Sequence, residues 1–283
     1  MYKAALVLQG GAMRGVYTSG VLDVLIDNVL ELEAVYGISA GAKNSQYYIS
    51  KQRGEAIKVD LFCMNNRKSI SLRNLIFEDG VISADYYNNY IMKELAPLNE
   101  NFNLSTQKYY IGATNCLTGE IHYFEKSNCD LRKAIVASCS MPLAQSMAII
   151  DDVPYLDGGI SEAIPLEKAI LDGYDKIVVV LTREKGYRAK KDKDDRFQSI
   201  YKIRYKNYPK LLEKLLTQNS RYNELIEKIE KMEEEGKIFC IYPSTSPDVS
   251  ILEKDKEKVV RLYNMGKKDM LDNLDKLVEY LNK

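Results

Sequence analysis

AALVLQGGAMRG, residues 4–15, sets the architecture. Ala4–Leu8 is apolar throughout, the pattern of a strand covered on both faces as in a parallel sheet. The pair Gly10-Gly11 predicts a tight turn, and Val16, Gly20, Val21, Val24 and Leu25 then recur at helical spacing. A second short strand near Ala34–Tyr36 runs into GISAG (37–41), followed by another helical stretch. Strand, turn, helix, repeated twice, is the rhythm of a βαβ sheet and predicts an α/β fold.

Further along, residues 55–100 read as helices and loops covering that sheet. KYYIGAT (108–114) and residues 120–124 read as two strands joined by LTG, a hairpin. A short helix is expected over 130–139, stopped near Pro142. Strands at 146–150 and 154–156 flank the turn Asp151-Asp152, and KIVVVL (176–181) is the second clear buried-strand run. Residues 183–195 are charged and predict an exposed loop. A helical stretch over 197–235, a strand near 238–242 and an amphipathic helix over 253–281 complete the chain. These patterns divide it into a core, 1–183, and a mostly helical C-terminal extension, 184–283.

Forty basic residues balance forty acidic ones, which argues against a nucleic-acid binder steered by a basic field. MYKAALVLQGG lacks the long apolar region and cleavage site of a signal peptide and reads as a strand. No apolar run approaches the ~18 residues needed to cross a bilayer. The five cysteines are scattered without CxxC spacing, which suggests neither a disulfide framework nor a zinc site and points to a reduced, cytoplasmic protein. Lys185, Arg188, Lys190, Lys191 and Lys193 leave room for peripheral contact with anionic lipid head groups, although a solvated loop is the simpler expectation.

Three motifs carry chemistry. Gly37-Ile38-Ser39-Ala40-Gly41 matches G-x-S-x-G, in which a sharp strand-to-helix turn pushes the serine hydroxyl out of the sheet. The helix that follows aims free N–H groups and a positive dipole end at the reacting centre. The same pentapeptide also fits a turn whose serine only caps the helix, and by itself it leaves the two readings even. Gly10, Gly11 and Ala12, with Arg14 and Gly15 behind them, form a turn whose consecutive N–H groups can converge on an anion such as the oxyanion of ester hydrolysis. A phosphate-binding loop is excluded by the lack of Gly-Lys-Ser/Thr, and a dinucleotide loop fits poorly with Ala12 at its third position.

A serine nucleophile needs a base. The single histidine, His122, lies on a strand-like alternation and reads as a half-buried strand residue. Asp157-Gly158-Gly159 follows a short strand, and an aspartate can act directly on a serine if desolvation raises its pKa. Taken alone, DGG is better read as a simple turn.

Taken together and in this order, the three motifs resemble the patatin-like phospholipases. ATNCLTGEIHYF (113–124), ASCSMPLAQ (137–145) and VPYLDGGISEAIPL (153–166) extend the resemblance over roughly residues 3–183. It implies a three-layer α/β sandwich with a central, mostly parallel sheet and a hydrolase of lipid acyl esters. It further implies a Ser39–Asp157 dyad, an oxyanion site from the N–H groups around Gly10, Gly11 and Ala12, and neither metal nor organic cofactor. Family members usually carry a third glycine where Ala12 stands, and alanine resists positive φ. A short-chain soluble esterase or thioesterase, or a non-catalytic lipid-binding protein of the same fold, are the alternatives. Intact Ser39 and Asp157 speak against the last.

Overall fold

A computed structural model describes residues 1–65, 98–190, 195–251 and 253–283. Among them, eight strands form one mixed sheet: β1 (Tyr2–Leu8), β2 (Leu32–Ile38), β3 (Lys108–Asn115), β4 (Ile121–Glu125), β5 (Ala148–Ile150), β6 (Val153–Asp157), β7 (Ile177–Val180) and β8 (Phe239–Ile241). Strands β3, β2, β1, β7 and β8 run parallel in that order, while β4, β6 and β5 are antiparallel additions. The mostly parallel sheet and its covering helices match the three-layer α/β expectation.

β1 explains the layering. Its alternate residues Ala4, Leu6 and Leu8 belong to one buried core, and Ala5 and Val7 to another. The first core is closed by α1 (Val16–Asp27), α2 (Ala40–Ile49), α5 (Leu131–Cys139), α10 (Lys256–Asp272) and α11 (Leu274–Asn282), through residues such as Tyr17, Ile49, Ile135, Leu262 and Leu277. On the second face sit α6 (Leu166–Leu171) and α9 (Gln218–Glu234), contributing Leu166, Ala169, Ile226 and Ile229. A strand apolar on both faces is thus the direct result of two helical layers. Each fully buried Leu, Ile or Val contributes about 1.5–3 kcal/mol.

The remaining helices are α3 (Glu55–Asn65), α4 (Glu100–Leu104), α7 (Asp195–Arg204) and α8 (Pro209–Leu216). The expected covering of 55–100 is described only at its ends, and residues 66–97 lie outside the described residues. The expected helical stretch over 197–235 consists of three helices. Pro209 keeps the preceding Tyr208 out of the helical region, at φ −126° and ψ 67°, and Thr217 separates α8 from α9. The closing helix likewise divides at Asn273. Aspartate side chains cap α5 and α10, Asp130 and Asp255 each accepting two backbone N–H groups. No helix among the described residues is long and apolar enough to cross a membrane.

The charged segment after β7 is a loop with exposed residues, as expected for 183–195, and its described part is also tied to α9. Arg188 forks onto Glu230 of α9 at 3.0 and 2.5 Å, and Lys185 reaches Glu233 at 2.8 Å. The Arg183 guanidinium lies over the Tyr187 ring, and Ala189 and Asn223 exchange two hydrogen bonds. Glutamates of α9 therefore pair with two of the five basic residues named for lipid head groups, Lys185 and Arg188. Residues 191–194 lie outside the described residues.

One detail of strand register positions the site. β4 runs along residues 110–114 of β3, opposite both the β2 partners (108–112) and the β6 partners (113–115). A strand has two edges, so β2 and β6 must share the other one end to end. Ile38 pairs with Gly112 and Asp157 with Ala113, and the chain leaves β2 at Ser39 where β6 arrives at Asp157.

Candidate active site

Ser39 stands between β2 and α2 with φ 52° and ψ −120°, a conformation that costs a non-glycine residue on the order of 1–3 kcal/mol and needs outside support. Its N–H donates to Ser138 Oγ at 2.8 Å, and Ser138 Oγ donates to Gly112 O at 2.6 Å. Its carbonyl accepts Lys43 N–H at 2.9 Å. Glycine at position 41 is a steric necessity, since a Cβ there would lie 2.4 Å from Leu8 O. A Cβ on Gly37 would likewise meet the Ala42 backbone, and one on Gly15 the Ala40 Cβ at 2.4 Å, so the elbow is closely packed.

Asp157 closes β6. Its Oδ2 accepts the Ser39 hydroxyl at 2.6 Å and its Oδ1 accepts Gly159 N–H at 2.8 Å. Its own N–H donates to Ser140 O, and its carbonyl accepts Thr114 Oγ1–H. Ser39 and Asp157 are 7% and 9% exposed. Burial pushes the carboxyl up to about 6, against the opposing pull of the Ser39 and Gly159 donors. At neutral pH it is ionised yet poorly solvated, which suits it to accept a proton from the hydroxyl it already holds. Gly158 sits where a Cβ would lie 2.3 Å from Gly112 O, tying the turn after Asp157 to the sheet.

The Gly-rich loop lies beside this pair. A Cβ on Gly10 would be 3.2 Å from Ser39 Cβ. Ala12 adopts φ 48° and opens the 3-10 turn Ala12–Gly15 that carries Arg14 into α1. The left-handed backbone expected to favour glycine is therefore held by alanine. The expectation for three donors narrows to two: Gly10 N–H is spent on Ala163 O at 3.2 Å, because the loop packs against the segment after Gly159. Gly11 and Ala12 N–H have no hydrogen-bond partner among the described residues. Arg14 has its Nε buried without a hydrogen-bond partner. Burial and then Arg183 pull its guanidinium below the ordinary value.

His122 makes no hydrogen bond with Ser39 or Asp157. It lies on β4 opposite Ala113, with its ring edge-on to Phe124 at 4.5 Å. Residues without a sequence motif matter more. Ser138 lies in ASCSMPLAQ, where nothing marks its hydroxyl as the support of a serine 99 positions away. Ser138→Ala leaves the Ser39 amide buried without its acceptor, and stability is expected to fall by about 1–3 kcal/mol. An unchanged unfolding temperature would show that the elbow is held otherwise. A cavity of about 190 Å³ opens beside the Asp157 turn, lined by Gly159, Glu162, Lys214 and Arg221 among others.

The family model of patatin-like phospholipases matches residues 6–170. The chain belongs to the patatin-like phospholipase family. A second model, a domain of unknown function (DUF6363), matches residues 208–282. The uncharacterized protein YjjU of Escherichia coli (strain K12) is 30% identical over 186 residues, 64% of this chain and 52% of its own length. This patatin-like chain thus spans about half the length of that curated relative. VipD from Legionella pneumophila, in its crystal structure, superimposes with a TM-score of 0.52 over 97% of this chain and 67% of its own, at 13% identity. That likeness is one of fold.

Proposed function

We propose that this protein is a serine-dependent lipid acyl hydrolase in which Ser39 is the nucleophile and Asp157 its general base. The observation that carries the reading is the 2.6 Å hydrogen bond from Ser39 Oγ to a carboxylate whose pKa burial has raised to about 6. In the first half-reaction Ser39 Oγ attacks the ester carbonyl carbon and passes its proton to Asp157 Oδ2. The oxyanion is held by the N–H groups of Gly11 and Ala12, each such donor contributing about 3–4 kcal/mol. Collapse expels the alcohol, which takes the proton from Asp157. Water then gives a proton to the same carboxylate and attacks the acyl group, and Ser39 leaves with its proton restored.

Asp157 must be ionised to act, so hydrolysis is expected to rise with pH through about 6 and level off above it. A pH–rate profile flat from 5 to about 8 would contradict that role. The reading as a whole is tested with chromogenic acyl esters of increasing chain length, hydrolysed by the wild type and by Ser39→Ala. Loss of hydrolysis with Ser39→Ala supports the nucleophile, and a profile rising with chain length supports lipid over short soluble esters. Equal hydrolysis by both proteins would overturn the assignment.

A further inference from the structure

The turn that follows Asp157 is held from outside the catalytic core. Its carbonyls at three successive residues accept donors from a single helix, α9. Gln218 Nε2 donates to Gly159 O at 2.8 Å, Arg221 Nη2 to Ile160 O at 2.5 Å and Arg221 Nη1 to Ser161 O at 2.5 Å. The guanidinium is itself anchored, with Nη2 also on Lys214 O at 2.7 Å and Nε on Thr217 Oγ1 at 3.1 Å. The next residue, Tyr222, accepts from Gln9 Nε2 at 3.4 Å, and Gln9 Oε1 accepts Thr182 N–H at the mouth of the Gly10 loop. One face of α9 thus touches both the base's turn and the oxyanion loop.

We infer that Arg221 is a positioning residue, and that residues 208–282, which match a domain of unknown function, complete the environment of Asp157. The inference rests on the reading of Asp157 as general base. Gly158-Gly159 has little stiffness of its own. Contact with Gly112 O pins the sheet side of the turn, and charge-assisted donors from Arg221 pin the outer side. Between them they aim Gly159 N–H at Asp157 Oδ1, a bond that lowers the carboxyl's pKa against burial. A turn freed on its outer side lets that N–H swing away. Asp157 then binds its proton more tightly, and its alignment with Ser39 loosens.

The experiment compares wild type, Arg221→Gln and Arg221→Lys in acyl-ester kinetics across pH, with the Asp157 carboxyl titrated by carbon NMR. In Arg221→Gln, kcat is expected to fall about 10- to 100-fold, the scale of a small misplacement at a reacting centre, with KM little changed. The acid limb and the Asp157 titration should both move to higher pH. Arg221→Lys keeps the charge but cannot span two carbonyls, so it should show the same upward movement in part. Lysine matching the wild type would reduce the effect to electrostatic field and overturn positioning. So would a folded Arg221→Gln whose Asp157 titrates as in the wild type. Should Arg221→Gln fail to fold, Gln218→Ala carries the same test with a smaller movement, and an unmoved titration there is equally fatal. If the wild type and Ser39→Ala hydrolyse equally, it is the hydrolase reading that fails, and the NMR titration alone decides the role of Arg221.

Discussion

Asp157→Asn is expected to lower acyl-ester hydrolysis by about 10³- to 10⁴-fold while raising the unfolding temperature at pH 8. The first effect follows from removing the carboxylate that accepts the Ser39 hydroxyl, while the amide still occupies its place. The second follows from burial. A carboxyl raised from 3.8 to about 6 in the folded protein holds its proton more tightly there than in the unfolded chain. At about 1.4 kcal/mol per pH unit, that gap amounts to about 3 kcal/mol. The contribution is fully present below about 3.8, where both states are protonated, and is lost as pH rises through about 6. Asparagine stays neutral, so the variant keeps what the wild type loses. It should melt roughly 5–10 °C higher at pH 8 and nearly level with the wild type at pH 4. A variant less stable at pH 8 would sink the desolvation argument, and one that keeps its activity would sink the base assignment. His122→Ala, which alters a residue with no hydrogen bond to the Ser39 hydroxyl, should retain most of the activity. Damage equal to that of Ser39→Ala would reassign the base.

The second large effect lies where the C-terminal region meets the core. α1 and α10 cross with their backbones touching, since a Cβ on Gly20 would lie 2.1 Å from Tyr263 O and one on Gly266 2.1 Å from Tyr17 O. In an exposed helix, Gly→Ala stabilises by about 1 kcal/mol. At Gly266 that gain is overwhelmed, because the added methyl meets a carbonyl oxygen that cannot turn aside. The helices must separate, which loosens Val21 and Leu262 in the core and the Tyr263–Asp23 hydrogen bond. Gly266→Ala is therefore expected to cost about 3 kcal/mol or more, a fall in unfolding temperature of roughly 6–12 °C. Asn264→Ala, on the exposed side of the same helix, should be neutral or slightly stabilising. Equal melts for the two variants would mean that the helices do not cross at these glycines.

Much of the fold is legible locally. The apolar run Ala4–Leu8 can be buried only between two layers, and KIVVVL repeats the message, so an α/β sandwich with a parallel centre follows from burial alone. The elbow is legible too, because GISAG needs small residues wherever α2 starts against the end of β1. Helix limits were harder to read. Hydrophobic periodicity runs through Tyr208-Pro209 and Asn273, whereas backbone conformation breaks there. The pairing of Lys185 and Arg188 in the exposed segment after β7 was not legible because their partners, Glu233 and Glu230, lie more than forty residues further on.

The pairing of Ser39 with Asp157, 118 residues apart, is of another kind. Residue identities along the chain supply a serine on a turn and an aspartate before two glycines. Bringing them to 2.6 Å requires β6 to take over the edge of β3 where β2 ends, a matter of strand register. The occupation of Gly10 N–H by Ala163, the support of Ser39 by Ser138 and the reach of Arg221 to the Asp157 turn are decided in the same way. Each is a hydrogen bond between segments distant in sequence. Burial patterns along a chain record which residues leave water, and only the packed structure determines which polar groups then find each other.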